Sequence, residues 1–316
     1  MTQPLSQALA AFEPDLPVTV AFSGGADSSA LLLACVQKWP GQVDAVHVHH
    51  GLQSAADDFV RHAQRVCHEL NVPLALCHVD ARHQPGQSPE DAARTARYGA
   101  FAQLARQRQA QGLKTGIALA QHADDQVETL MLALSRGAGL PGMSAMAQQF
   151  ERDGVRYYRP FLRVSQREIR HWLQEQGLGF IEDPSNAEQR FTRNRIRATV
   201  LPALQSCFAD FLDTFSRSAA HAAQAQRLLE EVAIEDLSLV GSPPLISKLQ
   251  ALSTARQANV LRHWLKSGFQ AVPSTAQMQE LLHQIDACRT GGHDLDIKLA
   301  NGRIRRLGKA LDWYNP

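Results

Sequence analysis

Three groups of side chains in this sequence are of types and spacings that could do chemistry. The first is Ser23-Gly24-Gly25-Ala26-Asp27-Ser28, where an apolar run breaks into two glycines, two hydroxyls and a carboxylate before an apolar helical pattern resumes. The second is Gln121-His122-Ala123-Asp124-Asp125 with Glu128, an imidazole followed by acids. Asp125 and Glu128 are three residues apart and share a helix face. The third is cationic. Arg94 and Arg97 are three apart, and Arg190, Arg193, Arg195 and Arg197 fall within eight residues. Backbone N–H groups of a glycine turn that opens a helix can cradle an anion. Carboxylates at a helix start can hold a cation or accept a proton from an amine. Arginines can stabilise phosphate charge. The plain structural readings are tight turning for the glycines, capping for the acids and a solvated face for the arginines.

The glycine stretch is no Walker A loop, because no Lys follows its glycines, and no Rossmann fingerprint, because G-x-G-x-x-G is absent. The pair His49-His50 suggests a metal at first sight. Adjacent strand residues point to opposite faces, so a shared ion is disfavoured, and contact of His49 or His50 with a substrate is the better reading.

These groups need a frame. The runs at 17–22, 44–50, 74–80 and 115–121 read as short buried strands, with helical patterns at roughly 26–38, 55–70, 89–111 and 125–135. Ser88, Pro89 and Asp91 give the third helix an N-cap, a first-turn proline and a capping-box acid. Strand and helix alternating at this spacing predict right-handed βαβ units and a parallel, doubly wound, Rossmann-like α/β sheet. The glycine loop and the acid helix start then fall at the carboxyl edge of the sheet, where open α/β folds bind ligands. Beyond Arg136 the sequence predicts a Gly/Pro loop at 136–143, a strand at 155–162, a helix near 165–176 and a long helix at about 208–236. Gly241-Ser242-Pro243-Pro244 reads as a linker, 245–288 as two or three helices, and Asn301-Gly302 as a hairpin turn. The expected division is a catalytic domain over 1–215 and a smaller, mainly helical domain over 216–316 that ends in the hairpin.

The 316 residues suffice for two domains, and the net charge of +1 leaves any polyanionic partner to local patches. Five cysteines, odd in number and with no C-x-x-C pair, argue against a disulfide framework, a zinc ribbon or an iron–sulfur site, and point to a reducing cytoplasm. The N-terminus lacks the basic region of a signal peptide. No apolar run approaches the roughly 20 residues that a membrane span requires.

The stretch Ser23–Ser28 resembles the pyrophosphate loop of the N-type ATP pyrophosphatases, which cleave ATP between its α and β phosphates and adenylate a carbonyl-type oxygen. Four further stretches narrow the resemblance: 47–59, 88–101, 121–143 and 159–202. In this order they are similar to the tRNA(Ile)-lysidine synthetase family, closely over about 17–205 and only in general character beyond. The resemblance implies an adenine nucleotide alpha hydrolase-like fold that uses ATP and Mg²⁺. It implies adenylation of C2 of the wobble cytidine in a CAU-anticodon tRNA(Ile), then attack by the ε-amine of L-lysine with release of AMP. The product pairs with A and reads AUA in place of AUG.

In that reading Ser23, Gly24, Gly25, Ala26, Asp27 and Ser28 bind the nucleotide, and Asp27 also holds the metal. Arg97 and Arg195 stabilise phosphate charge, while Asp125 and Glu128 receive the amine. His50, Arg94, His122, Asp124 and Arg193 are candidate substrate contacts. The family usually carries two histidines where this chain has Gln121-His122. The tail over 206–316, with its basic 303–309 stretch, is expected to grip tRNA outside the anticodon loop; longer members carry an additional C-terminal domain for which this sequence has no room. A homodimer is compatible with the sequence. A 2-thiocytidine enzyme is disfavoured by the lack of paired cysteines. An amidating ligase is disfavoured by the lack of a glutaminase module. A non-catalytic nucleotide or RNA-binding module is disfavoured by the retained Asp27, Asp125, Glu128 and Arg195.

Overall fold

The computed structural model describes residues 4–49, 56–80, 82, 88–113, 116–183, 188–289 and 293–315. His50 lies outside them. The chain divides into two compact units, Met1–His221 and Ala222–Pro316.

The first unit begins with a short helix α1 (Leu5–Ala10). Four βα steps follow: β1 (Val18–Ala21), α2 (Ala26–Lys38), β2 (Val43–His49), α3 (Ala56–Glu69), β3 (Leu74–His78), α4 (Pro89–Ala110), β4 (Gly116–Ala118) and α5 (Ala123–Ser135). Then come α6 (Leu140–Met143), β5 (Gln149–Arg152), β6 (Val155–Tyr158) and α7 (Gln166–Glu175). The sheet order is β3-β2-β1-β4-β6-β5. All neighbours are parallel except β5, which runs antiparallel to β6. The order reverses at β1, so the loops after β1 and β4 flank the crevice of an open α/β sheet.

Burial on both faces explains the apolar strands. Val18 and Val20 pack with α2 and α7 through Leu31, Leu32, Ile169 and Leu173. Val46, Ile117 and Tyr157 join Tyr98 and Phe101 of α4 in a second core. Ser88 caps α4 by accepting from Asp91 N at 3.1 Å, as its sequence predicts. Two elements differ from the sequence reading. The strand expected over 155–162 stops at Tyr158, and it pairs with a partner, β5, that periodicity did not reveal. The signal was present in Asp153-Gly154, both at positive φ (53° and 75°), which makes a two-residue hairpin turn.

After α7 the chain reaches α8 (Thr192–Arg195), a π-helical turn over Ile196–Val200, and α9 (Leu201–Cys207). Val127 of α5 packs with Ile196, Leu201 and Phe211, which fastens this segment to α5. The long helix α10 (Phe211–Val240) contains the boundary between the two units.

The second unit holds α11 (Ile246–Gln250), α12 (Thr254–Phe269), α13 (Thr275–Ala287) and an antiparallel sheet of β7 (Asp296–Leu299), β8 (Gly302–Leu307) and β9 (Ala310–Tyr314). Its core joins Val260, Leu261, Trp264, Leu265, Leu281 and Ile304. Residues 241–244 form a turn inside this unit, with Leu245 N donating to Val240 O at 2.9 Å, so they are no domain linker. The hairpin turn sits one residue earlier than expected, at Ala300-Asn301, because Gly302 already pairs with Leu299. A Cβ on Gly302 would lie 2.5 Å from the Trp313 ring, so this glycine serves close packing instead of the turn. The basic strand is largely neutralised from within: Arg303 pairs with Asp296 at 2.9 Å and Arg305 with Asp312 at 2.8 Å.

Candidate active site

The glycine loop leaves β1 at the carboxyl edge of the sheet. Its hydroxyls close on each other: Ser23 N donates to Ser28 Oγ at 3.2 Å, the two Oγ atoms are 3.0 Å apart, and Ser28 Oγ donates to Gly25 O at 3.0 Å. Gly24 has φ +89°, a left-handed conformation. A Cβ there would meet the His62 ring at 3.3 Å and Phe59 at 3.5 Å, so both backbone shape and close approach require glycine. Gly24 O accepts from Ile181 N at 3.0 Å, which ties the loop to the segment after α7. Ala26, Asp27 and Ser28 form the first turn of α2, whose N–H groups have no helical partners.

His122 joins this loop to the acid helix. It is the N-cap of α5 and is 2 % exposed. Its ring lies 3.6 Å from Asp27, 3.5 Å from Asp124 and 3.5 Å from Asp125. Burial works against a charge on this imidazole, but Asp125, Asp124 and Asp27 outweigh it and hold the ring well above its ordinary value. Burial pushes the Asp27 carboxyl up; contact with His122, with help from Gln166 and Arg170, more than offsets this and leaves it lowered. Asp124 shows the same balance and accepts from Gln166 N at 2.8 Å. Asp125 accepts from His122 N at 3.1 Å and so closes the cap. The capping reading of these acids and the cluster reading hold together: the caps are what aim the carboxylates at the imidazole.

Glu128, one turn further on, is fully buried. Its Oε1 accepts from Arg197 Nε and Nη2, each at 2.8 Å, and its Oε2 faces Arg193 Nη1 at 3.4 Å. Arg197 Nη2 also reaches Asp125 Oδ1 at 3.5 Å. Arg193 Nε donates to Glu90 of α4 at 2.8 Å. Burial and the charge of Asp125 push the Glu128 carboxyl up, against the two guanidiniums.

The structure therefore brings together Ser23 to Ser28, His122, Asp124, Asp125, Glu128 and Arg193. It does not bring Arg195 to them. Arg195 is exposed and donates to Thr192 Oγ1 at 3.2 Å. Arg94 and Arg97 are exposed on α4, and Arg94 lies over the Tyr98 ring at 5.2 Å. The arginine that joins Arg193 beside Glu128 is Arg197. Helical spacing carries the signal: residues four apart share a face, so Arg197 follows Arg193, whereas Arg195 turns away. Arg159 is a further cation held inside. A lone arginine in a sequence ordinarily reads as solvated, yet this one is 4 % exposed, donates to Gln121 Oε1 at 3.0 Å and Ala147 O at 2.8 Å, and covers the Phe150 ring at 4.1 Å. Gln166 has no sequence signal; its backbone N–H reaches Asp124 only because α7 starts beside α5.

A hard cation fits the loop side of this cluster. Asp27 Oδ1 is buried and has no hydrogen-bond partner among the described residues, so a carboxylate oxygen is free for a ligand. Among the described residues no ready-made cluster of metal-binding side chains exists, so substrate oxygens would complete any such site.

Known proteins match this architecture. A model described as a PP-loop domain matches residues 2–204, and one described as the TilS substrate binding domain matches 245–311. The tRNA(Ile)-lysidine synthase of Polaromonas naphthalenivorans is 58% identical over 94% of this chain and 89% of its own length. That of Burkholderia pseudomallei is 38% identical over 98% of this chain and 64% of its own length. Among solved structures, a U34-tRNA thiolase from Methanococcus maripaludis aligns with a TM-score of 0.56 at 13% identity, covering 68% of this chain and 76% of that one, a likeness of fold alone. The two family models and the named relatives thus cover nearly the whole sequence, and the chain belongs to the tRNA(Ile)-lysidine synthase family of PP-loop, ATP-using enzymes.

Proposed function

We propose that this chain ligates the ε-amine of L-lysine to C2 of the wobble cytidine of a CAU-anticodon tRNA(Ile), through a cytidine adenylated by ATP. The enzyme forms lysidine on tRNA(Ile) at the expense of ATP, as its family does. The observation that carries the assignment of roles is His122, buried with Asp27, Asp124 and Asp125 all within 3.6 Å, because it fixes the phosphate loop and the acid helix in one site.

Ser23, Ser28 and the backbone N–H groups of Gly24, Gly25 and Ala26 cradle the pyrophosphate end of ATP. Asp27 and the phosphate oxygens would hold Mg²⁺, which supplies positive charge to the departing pyrophosphate. Asp125, with Asp124 beside it, orients the lysine amine and accepts its proton, since only the neutral amine attacks. Glu128 is saturated by Arg193 and Arg197, so it acts by holding these guanidiniums at the site. Arg97 and Arg195, both exposed, remain for phosphate charge on the AMP or the anticodon, and Arg94 and His50 for substrate contact. The domain over 216–316 grips tRNA outside the anticodon loop, and the reaction runs in the cytoplasm. Among the described residues no helix is long and apolar enough to cross a membrane.

The test is lysine incorporation and AMP release with Mg-ATP and a CAU-anticodon tRNA(Ile) transcript, against the same transcript carrying uridine at the wobble position. Product with the first alone, and none with Asp27→Ala of unchanged circular dichroism, supports the reading. AMP release without lysine incorporation refutes the nucleophile. Normal turnover by Asp27→Ala refutes the metal assignment.

A further inference from the structure

His62 of α3 has no part in the chemistry above, yet it lies against the phosphate loop. The residue is 6 % exposed. The ring edge that carries Cδ2 is the nearest neighbour a Cβ on Gly24 would meet, at 3.3 Å, and Nε2 is the next atom of that edge. The Phe22 ring, just past the end of β1, is 6.4 Å away between centroids and tilted to the imidazole. Arg65 Nη2 lies 3.0 Å from His62 Nδ1. A guanidinium only donates, so Nδ1 accepts and the proton of the neutral ring sits on Nε2. Burial, and then Arg65, also lower the basicity of this ring, which keeps it neutral. The resulting Nε2–H donor is buried and has no hydrogen-bond partner among the described residues. A buried donor without a partner is costly, and a native structure that keeps one beside a ligand loop has use for it when the ligand is bound.

We propose that His62 is a further ligand-binding residue of the loop: as the Nε2–H tautomer fixed by Arg65, it donates to the pyrophosphate portion of ATP held by the Gly24-Gly25 turn. The inference rests on the assignment of this loop to pyrophosphate. Arg65 is then a positioning residue, because it acts through the tautomer it imposes. A donor to the β and γ phosphates would favour inorganic pyrophosphate and ATP and contribute nothing to AMP.

The test is calorimetric binding of Mg-pyrophosphate and of AMP to the full chain and to three variants. His62→Gln carries an amide N–H near the position of Nε2, whereas His62→Asn and His62→Phe do not. His62→Phe retains ring packing, and His62→Asn stands in for it if that variant is unstable. Loss of the donor is expected to weaken pyrophosphate binding roughly tenfold in His62→Asn and His62→Phe, to leave AMP binding within about twofold, and to be largely restored in His62→Gln. In the wild type, ¹⁵N spectra should show the Nε2–H tautomer, with the Nε2 resonance moving on addition of pyrophosphate. Unchanged pyrophosphate affinity in His62→Asn and His62→Phe, or equal losses for AMP and pyrophosphate, would overturn the inference and leave the loop assignment standing. A wild type that fails to bind pyrophosphate at all would overturn the loop assignment, and this inference with it.

Discussion

Replacing Glu128 by Gln removes one charge and changes almost nothing in shape. The carboxylate is fully buried and takes two contacts at 2.8 Å from Arg197 and one at 3.4 Å from Arg193. Breaking a buried ion pair by removing one partner costs about 3–5 kcal/mol, because the other charge is left stranded. Here the stranded guanidiniums are 29% and 34% exposed, and Arg193 keeps Glu90 at 2.8 Å, so water and Glu90 recover part of the loss. The net cost of Glu128→Gln is therefore about 2–3 kcal/mol. For a unit the size of Met1–His221 this lowers the melting temperature by about 4–12 °C. The assay is differential scanning calorimetry of the wild type, Glu128→Gln, Arg197→Met and the double variant. The double variant should recover at least about 1 kcal/mol relative to the sum of the singles, since neither charge is then stranded. Arg197→Met should also cost more than Arg193→Met, because Arg197 makes the two short contacts. A melting temperature for Glu128→Gln within 1 °C of wild type (a shift of roughly a few tenths of a kcal/mol), additive singles, or Arg193→Met as the worse variant would refute the claim that this buried pair fastens the arginine segment to α5.

Gly24→Ala should cost about 1–2 kcal/mol, since an L side chain must adopt φ +89° against His62, and it should abolish AMP formation; urea unfolding and an AMP assay check both. His47 is buried, and burial first of all lowers its basicity while Nδ1 donates to Phe22 O at 2.9 Å. The unfolded chain therefore binds the proton more readily, and stability should fall as pH drops below about 6.5. His47→Asn, which keeps the donor without the titration, should flatten the urea midpoint between pH 7 and pH 5 relative to wild type (roughly the window set by the unfolded imidazole). Burial pushes the Cys35 thiol up to about 12 and the Cys67 thiol up to about 11. Neither should react with a disulfide reagent in the native state, whereas exposed Cys207 should; peptide mapping after brief labelling decides.

Local sequence rules determined much of this protein. The β-branched run before Ser23 makes a buried strand, the glycines make a loop, and alternation of strand and helix forces that loop to the ligand edge of a parallel sheet. Ser88 and Pro89 start α4 where capping chemistry requires it. Asp125 and Glu128 were legible as one helix face from their three-residue spacing. Spacing also puts Arg193 and Arg197 on one side of their helix, where both meet Glu128. Tertiary structure decided what local rules do not contain. Whether an arginine is solvated or buried depends on distant partners: Arg159 is inside because Gln121 and Ala147 O, both far from it in sequence, receive its N–H groups. Gln166 meets Asp124, and Ile181 meets Gly24, only because α7 returns beside α2 and α5. His62 carries no motif at all; it becomes part of the phosphate loop through the packing of α3 on Gly24, a contact between residues 38 apart in the chain that no periodicity encodes.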